Sequence, residues 1–238
     1  TIFPDLPLVF DFEKMMAGEG LVGWDPSNGC RIGIVPRRGD DSSIRWFEIE
    51  ESFLFHVANA FEEGDDVVFQ ACRSDRGGIV TEEGAEVKDQ LGQLHEWRFN
   101  MRSGAVQSRA IDREFHCDFP RINDDYVGYK NRYTYAARFR VEDMPTFDGE
   151  MKYDNETGEI EMHYFGDHAE SGEAVFVPRI GSTKEDDGYV ICFVYDRNAG
   201  TSECQILDAQ NWHADPVAKI KIPQRVPHGF HAAWVPHG

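Results

Sequence analysis

The chain has 238 residues, of which 41% are hydrophobic and 13% aromatic, so it is long enough to bury a core and too apolar to remain disordered. Its 24 basic and 43 acidic residues give a formal net charge of −19, which repels nucleic acid and anionic membrane surfaces. No apolar run approaches the roughly 18 residues that a membrane span needs. The composition therefore predicts a globular protein without a nucleic-acid partner or a membrane span. Acidic runs such as 62–66 and 185–187 are expected to form a solvated surface.

The five cysteines indicate a reducing compartment. They lie far apart and include no C-x-x-C pair suited to zinc binding or redox chemistry. Their odd number does not suit a secreted disulfide scaffold. We therefore expect free thiols and a cytoplasmic location.

Short segments rich in β-branched and aromatic residues recur along the chain, whereas helical periodicity is scarce. Turn-forming residues at 101–104, 154–158 and 196–200 each separate two such segments, which is typical of hairpins. Segment 74–93 lacks clear periodicity and is expected to be an exposed loop with a short helix. The pattern predicts one all-β domain of antiparallel hairpins, and it suits a sandwich, a barrel or a propeller equally well. The predicted strands are 31–36, 44–49, 53–58, 67–72, 95–101, 133–141, 149–153, 160–165, 174–178, 188–195, 204–208 and 218–222.

His56 lies in a strongly apolar predicted strand. Strand alternation places Leu54, His56 and Ala58 on one face of that strand. An imidazole among apolar neighbours requires a partner, either a hydrogen-bond acceptor or a metal that takes the lone pair of its neutral nitrogen. His56 is therefore either a satisfied core histidine or a metal ligand.

A second candidate segment is the aromatic C-terminal stretch 223–235, which contains His228 and His231. In an extended conformation these two side chains point to opposite faces, so a single metal would take only one of them. His231 shares its face with the small residues Gly229 and Ala233, which leave room beside the ring. Otherwise His231 is an exposed terminal histidine.

Four segments, in order, resemble stretches of the carotenoid cleavage oxygenases. They are FHVANAFEEGD at 55–65, DFPRIN at 118–123, EAVFVPR at 173–179 followed by EDDG at 185–188, and RVPHGFH at 225–231. The opening IFPDLPL at 2–8 also looks like the family segment that follows its second iron-binding histidine. Four ordered matches are far more specific than one, and together they span nearly the whole chain.

The resemblance implies a seven-bladed β-propeller whose axial iron(II) is held by four histidines. His56 would be the third of these ligands and His231 the fourth, so residues 1–238 would form one propeller domain that is incomplete at its N-terminal side. The family holds three of its histidines with outer glutamates, and Glu173 matches one of them. Asp118 stands where many members have glutamate. Because its side chain is one methylene shorter, the backbone sits closer, a water bridges the gap, or the histidine is held less firmly.

The function that this resemblance implies is oxidative cleavage of a carbon–carbon double bond to two carbonyl products. The expected cofactor is Fe(2+), and the expected partners are O2 and an apolar conjugated small molecule such as a carotenoid, an apocarotenoid or a stilbene. Two alternatives stay open: a non-catalytic β-propeller that binds a protein or small molecule, and a retinoid-isomerase-like reaction that uses the same iron. The residues expected to line the substrate path are Phe55, Phe61, His228 and Phe230.

Overall fold

A computed structural model of the chain describes residues 1–18, 22–77, 87–142, 146–228 and 230–235. Within these ranges the chain is almost entirely β-structure, with one short α-helix, α1 (Phe12–Ala17). None of the described helices is long and apolar enough to cross a membrane. The strands are β1 (Ile2–Asp5), β2 (Leu8–Phe10), β3 (Val22–Trp24), β4 (Arg31–Ile34), β5 (Arg45–Glu48), β6 (Phe53–Glu63), β7 (Asp66–Ser74), β8 (Gln93–Asn100), β9 (Val106–Ala110), β10 (Cys117–Arg121), β11 (Tyr133–Arg140), β12 (Thr146–Asp154), β13 (Ile160–Tyr164), β14 (Ala169–Glu170), β15 (Val175–Pro178), β16 (Gly188–Asp196), β17 (Thr201–Asp208) and β18 (Ala218–Ile222).

The larger sheets are antiparallel and follow one another along the chain. The first sheet has the order β1-β4-β5, the second β6-β7-β8-β9, and the third β10-β11-β12-β13. In the fourth sheet β16 pairs with β14, β15 and β17, and β18 forms its outer edge. A small ribbon of β2 and β3 lies apart from these four. Most neighbouring strands are consecutive in the chain and form a hairpin, which is the connectivity of propeller blades.

Three apolar clusters join the four sheets face to face. Trp97, Phe69 and Phe47 belong to a cluster between the first and second sheets. Met151 and Leu94 lie in a cluster between the second and third sheets, and a further cluster joins the third sheet to the fourth. Full burial of a large apolar side chain contributes about 1.5–3 kcal/mol. Sheet-to-sheet packing is therefore the main source of stability, and it lines up the sheet ends where the candidate site lies.

The three predicted hairpin turns are confirmed and share one design. Each begins with an Asn or Asp whose side chain accepts two backbone N–H groups within the turn, and ends four residues later with a glycine at positive φ. The glycine N–H donates to the carbonyl of the first residue at 2.8–2.9 Å. Glycine adopts this left-handed conformation without the Cβ clash that other residues incur. The three pairs are Asn100 with Gly104, Asp154 with Gly158, and Asp196 with Gly200.

All twelve predicted strands are present, but six others were missed for physical reasons. β9 is an exposed edge strand with a polar sequence, and β14 has only two residues. β10 contains Pro120 and a register shift, so its sequence lacks the regular alternation of a strand. β1, β2 and β3 are three or four residues long. The described ends of the loop predicted at 74–93 form the end of β7, a 3-10 turn at Val87–Gln90 and the start of β8, and residues 78–86 lie outside the described ranges.

The expectation that the acidic runs are merely solvated is wrong at several positions. Glu185 accepts hydrogen bonds from the backbone N–H groups of Arg132 and Tyr133 at 2.7–3.0 Å. Glu63 pairs with Arg98 and Lys130, and both contacts hold the pKa of its carboxyl below the ordinary value, with the Lys130 hydrogen bond the larger cause. These carboxylates tie a loop or a neighbouring strand to the sheets.

Asn59, three residues after His56, anchors the β10–β11 loop of the third sheet to β6 of the second sheet. Its side-chain amide donates to the carbonyls of Tyr126 and Tyr129 and to Asn131 at 2.9–3.3 Å. Its side-chain oxygen accepts the N–H groups of Ala60 and Gly128. Asn59 is only 4% exposed, so each of these partners would lose its hydrogen bond in a dry environment if the amide were removed.

We predict that Asn59→Ala destabilises the intact protein by on the order of 3 kcal/mol, because the buried Asn131 side chain and four partly buried backbone groups lose their partner. The urea midpoint of unfolding measures this loss. Asn198→Ala, at an exposed turn position, is the control and should leave the midpoint unchanged. Equal midpoints for Asn59→Ala and the parent protein would show that the amide does not hold this loop.

His95 on β8 makes folding sensitive to acid. Burial lowers the pKa of its imidazole to about 4, and the charges of Arg73 and Arg109 lower it further. The unfolded chain has a histidine pKa near 6.5, so below pH 6.5 the unfolded state takes up a proton that the folded state excludes. The His95 contribution is therefore fully present above pH 6.5, and stability falls as the pH drops from 6.5 towards 4.

We predict a loss of up to about 3 kcal/mol over this pH range from His95 alone. His95→Gln, which does not titrate, should flatten the pH dependence of the urea midpoint between pH 6.5 and 4. A slope identical to that of the parent protein would assign the acid sensitivity to other groups.

Candidate metal centre

His56 lies in an irregular part of β6. The register between β6 and β7 shifts twice, between Leu54 and Val57 and between Val57 and Asn59, so His56 is outside the regular ladder. Such bulges re-aim a side chain. The His56 side chain is 18% exposed and turns towards β10, the first strand of the next sheet.

Asp118 on β10 holds the His56 ring directly. Its Oδ1 accepts a hydrogen bond from His56 Nδ1 at 2.9 Å and a second one from the backbone N–H of Phe119 at 2.9 Å. Of the three outcomes expected for this shorter carboxylate, the structure shows the close backbone. An ionised carboxylate only accepts hydrogen bonds, so the proton is on Nδ1 and the lone pair of Nε2 is available.

Glu173 holds His231 in a similar way. Its Oε2 lies 3.5 Å from His231 Nδ1 and accepts the backbone N–H of Ala232. Arg121 Nη1 lies 3.5 Å from the other oxygen of the carboxylate. The Glu173 side chain is 5% exposed, so it is not a surface residue before a strand, whereas the His231 side chain is 64% exposed.

The fold brings these two carboxylate-bound histidines together. The ring centroids of His56 and His231 are 5.1 Å apart, with 75° between the ring planes. In both cases a carboxylate lies at Nδ1, which leaves Nε2 for a metal, as in the carboxylate–histidine–metal arrangement of metalloproteins. Among the residues that the structure describes, no group of three or more His, Cys, Asp or Glu could hold a metal ion. The two imidazoles are nevertheless chemically suited to belong to a larger nitrogen donor set for a ferrous ion.

An apolar cleft of about 330 Å³ lies beside His56. Phe55 stacks on the His56 ring at 5.1 Å, and Phe230 lies 6.5 Å from Phe119, both between ring centroids. Two of the four predicted substrate-lining residues, Phe55 and Phe230, therefore lie at this cleft. The residues that line it include Phe55, His56, Cys72, Leu91, Asp118, Phe119, Phe139, Phe147 and Phe230.

The other two predicted lining residues lie outside this cleft. Phe61 is five residues beyond His56, or about 16 Å along the strand, and its buried side chain lines a separate cleft with Ile34 and Phe69. His228 lies 3.2 Å from Glu170 and lines a cleft of about 370 Å³ that also contains His231 and Phe230. Gly229 lies outside the described residues. The structure therefore does not bring Phe61 to the histidine pair, and it places His228 on a carboxylate of its own.

Sequence reasoning missed several residues around the pair. Phe119 contacts both histidine rings. Behind it, Phe147 and Phe139 stack on each other with 4.4 Å between their ring centroids. Glu150 is fully buried with no hydrogen-bond partner for its carboxyl oxygens in the described part of the chain, and burial raises its pKa well above the ordinary value. The nearby charge of Glu173 raises that pKa further. No local sequence signal singles out Glu150 or the phenylalanines, because their proximity to the pair depends on how the sheets pack.

Comparison with known proteins agrees with this geometry. The family model described as retinal pigment epithelial membrane protein matches residues 1–236. A carotenoid 9,10(9',10')-cleavage dioxygenase of Crocus sativus is 40% identical over 256 residues, covering 99% of this chain and 46% of the relative. An isoeugenol monooxygenase of Pseudomonas putida is 27% identical over 98% of this chain and 52% of its own length.

Among solved structures, the lignostilbene dioxygenase of Pseudomonas brassicacearum superposes with a TM-score of 0.90 at 26% identity, covering 99% of this chain and 53% of that one. The solved structures that this chain resembles are β-propellers, so the predicted all-β propeller fold is confirmed. The chain spans about half the length of the relatives that it matches. From the family match along nearly the whole chain and the identity to the cleavage dioxygenases, this chain belongs to the carotenoid cleavage oxygenase family, the family described as retinal pigment epithelial membrane protein.

Proposed function

We propose that the protein containing this chain is an iron(II)-dependent dioxygenase that cleaves a carbon–carbon double bond of an apolar conjugated substrate of the carotenoid, apocarotenoid or stilbene type. The reaction would consume O2 and give two carbonyl products. The observation that carries the proposal is the pair formed by His56 and His231, which meet at 5.1 Å with a carboxylate at each Nδ1. The names of the relatives, which include carotenoid cleavage dioxygenases, agree with this chemistry.

In this proposal His56 and His231 supply two neutral imidazole ligands. Asp118 and Glu173 keep the proton on each Nδ1, so the lone pair of each Nε2 faces the metal. When bound, iron(II) supplies the redox chemistry that activates O2. The protein contributes ligand orientation and a water-poor environment for that chemistry.

The aromatic cleft suits an apolar conjugated substrate. Phe55, Phe119, Phe147 and Phe230 line it and offer ring faces and edges to a flat π-system. The polar groups within it, chiefly His56 and Asp118, lie at the proposed metal. Such a cleft holds the double bond near the ligands by apolar contact.

A cytoplasmic location, expected from the cysteines, stays a prediction.

We predict that the intact protein, extended to the full length of its relatives, contains iron at close to one equivalent. Each of His56→Ala and His231→Ala should lower the iron content at least tenfold and abolish O2 uptake with carotenoid, apocarotenoid and stilbene substrates. His213→Ala is the matched control, because His213 also pairs with a carboxylate, Glu161 at 3.2 Å, but lies outside the site. Elemental analysis of the purified proteins makes the measurement.

Absence of iron in the parent protein would favour a non-catalytic binding propeller in which the histidines are packed core residues. Product analysis separates the proposed cleavage from the isomerisation alternative, because only cleavage yields two carbonyl products for each double bond.

We predict that Asp118→Asn and Glu173→Gln each weaken iron binding by about 10–100-fold, because an amide can donate to Nδ1 and release the ring from the required tautomer. Iron affinity measured with a competing chelator provides the test, and circular dichroism checks the fold. Unchanged affinity in both variants would mean that the carboxylates do not act on the ligands.

A further inference from the structure

Phe119 has a backbone conformation that is exceptional in this chain. Its φ of 52° makes it the one non-glycine residue with positive φ among those described. A left-handed conformation is strained for a residue with a Cβ, and bulky residues occupy it where the surroundings impose it. The pairing of β10 with β11 shifts register at this point, between Asp118 and Arg121.

This irregularity places two consecutive side chains on one imidazole. In a regular strand, residues 118 and 119 would point to opposite faces of the sheet. Here Asp118 hydrogen-bonds His56, and the Phe119 ring packs against the same imidazole at 4.6 Å between centroids. The backbone N–H of Phe119 also fixes the Asp118 carboxylate. The left-handed residue therefore makes both contacts possible.

The Phe119 ring also reaches the second histidine. It meets His231 edge to face, with centroids 5.7 Å apart and 88° between planes. No other described ring contacts both histidines, apart from their contact with each other. Phe147 packs behind Phe119, with 5.4 Å between ring centroids, and is itself stacked on Phe139. The Phe119 ring is therefore supported from behind.

We propose that Phe119 is a positioning residue, whose ring is held by a strained backbone as a wedge against one side of the His56–His231 pair and fixes the approach of the two imidazoles before metal binds. The inference rests on the proposed function, since it concerns affinity for the metal of that site. Side chains that are already ordered lose less entropy when they bind, so loss of the wedge weakens binding even though Phe119 does not touch the metal.

Strain and ring can be separated by substitution. Phe119→Ala keeps the strain and removes the ring, whereas Phe119→Gly removes both. Phe119→Leu keeps apolar volume but presents no flat face to the imidazoles. If Phe119 only filled space, Leu would preserve the site and Gly would benefit from the relieved strain.

The experiment is titration of the metal-free, full-length protein with Co(II), with dissociation constants and the visible d–d spectrum as readouts. We expect at least tenfold weaker binding and altered d–d bands for Phe119→Ala and Phe119→Gly, and at least threefold weaker binding for Phe119→Leu. Phe165→Leu is the matched control, because Phe165 packs edge to face on a histidine outside the site, His163, with 5.3 Å between ring centroids. It should bind Co(II) as the parent protein does. Thermal unfolding of each metal-free variant checks the fold.

Parent affinity and spectrum in Phe119→Ala would overturn the wedge while leaving the proposed metal site intact. If Phe119→Ala does not fold, Phe119→Leu provides the test. Co(II) affinity equal to that of the parent protein in Phe119→Leu would then overturn the wedge. Equal losses in Phe119→Leu and Phe165→Leu would also overturn it, since general aromatic packing would then account for the effect. Failure of the parent protein to bind Co(II) would overturn the wedge together with the proposed function.

Discussion

The hydrogen bond between His56 and Asp118 joins two neighbouring sheets at the point where the candidate site begins. It depends on two irregularities that face each other, the register shifts around His56 in β6 and the left-handed residue after Asp118 in β10. A regular ladder in either strand would direct one of these side chains away. The site therefore relies on local departures from ideal β-structure, which the well-packed clusters between the sheets can support.

Buried carboxyl groups around the site differ in their partners. Asp118 and Glu173 each accept an imidazole contact and a backbone N–H, and Arg121 lies 3.5 Å from Glu173. Glu150 has no such partner among the described residues, and its desolvation favours the neutral acid. The polar partners at the site are therefore concentrated on the two carboxyl groups that contact the imidazoles.

The outer face of the fourth sheet differs from the other sheet faces. Phe193, Cys204 and Ile220 lie in register across β16, β17 and β18, and Phe193 and Ile220 are 47% and 53% exposed. Apolar clusters cover the corresponding faces between the other sheets. In a closed propeller a further blade covers such a face. The chain covers 46% of its Crocus sativus relative, and the His231 side chain is likewise exposed, at 64%.

The amino-acid sequence determined twelve of the eighteen strands, the three hairpin turns and the identity of the histidines, because alternation, turn chemistry and ordered motifs are local. Resemblance to a family also pointed to Asp118 and Glu173 as carboxylates that orient the histidines, but only the structure paired Asp118 with His56 and Glu173 with His231. Only the tertiary structure decided that His228 contacts Glu170, that Phe61 lies at the other end of β6, and that Phe119 packs against both histidine rings. These outcomes follow from bulges and from sheet packing. A one-residue shift redirects every later side chain in a strand, and contacts between residues 175 positions apart leave no local trace in the sequence.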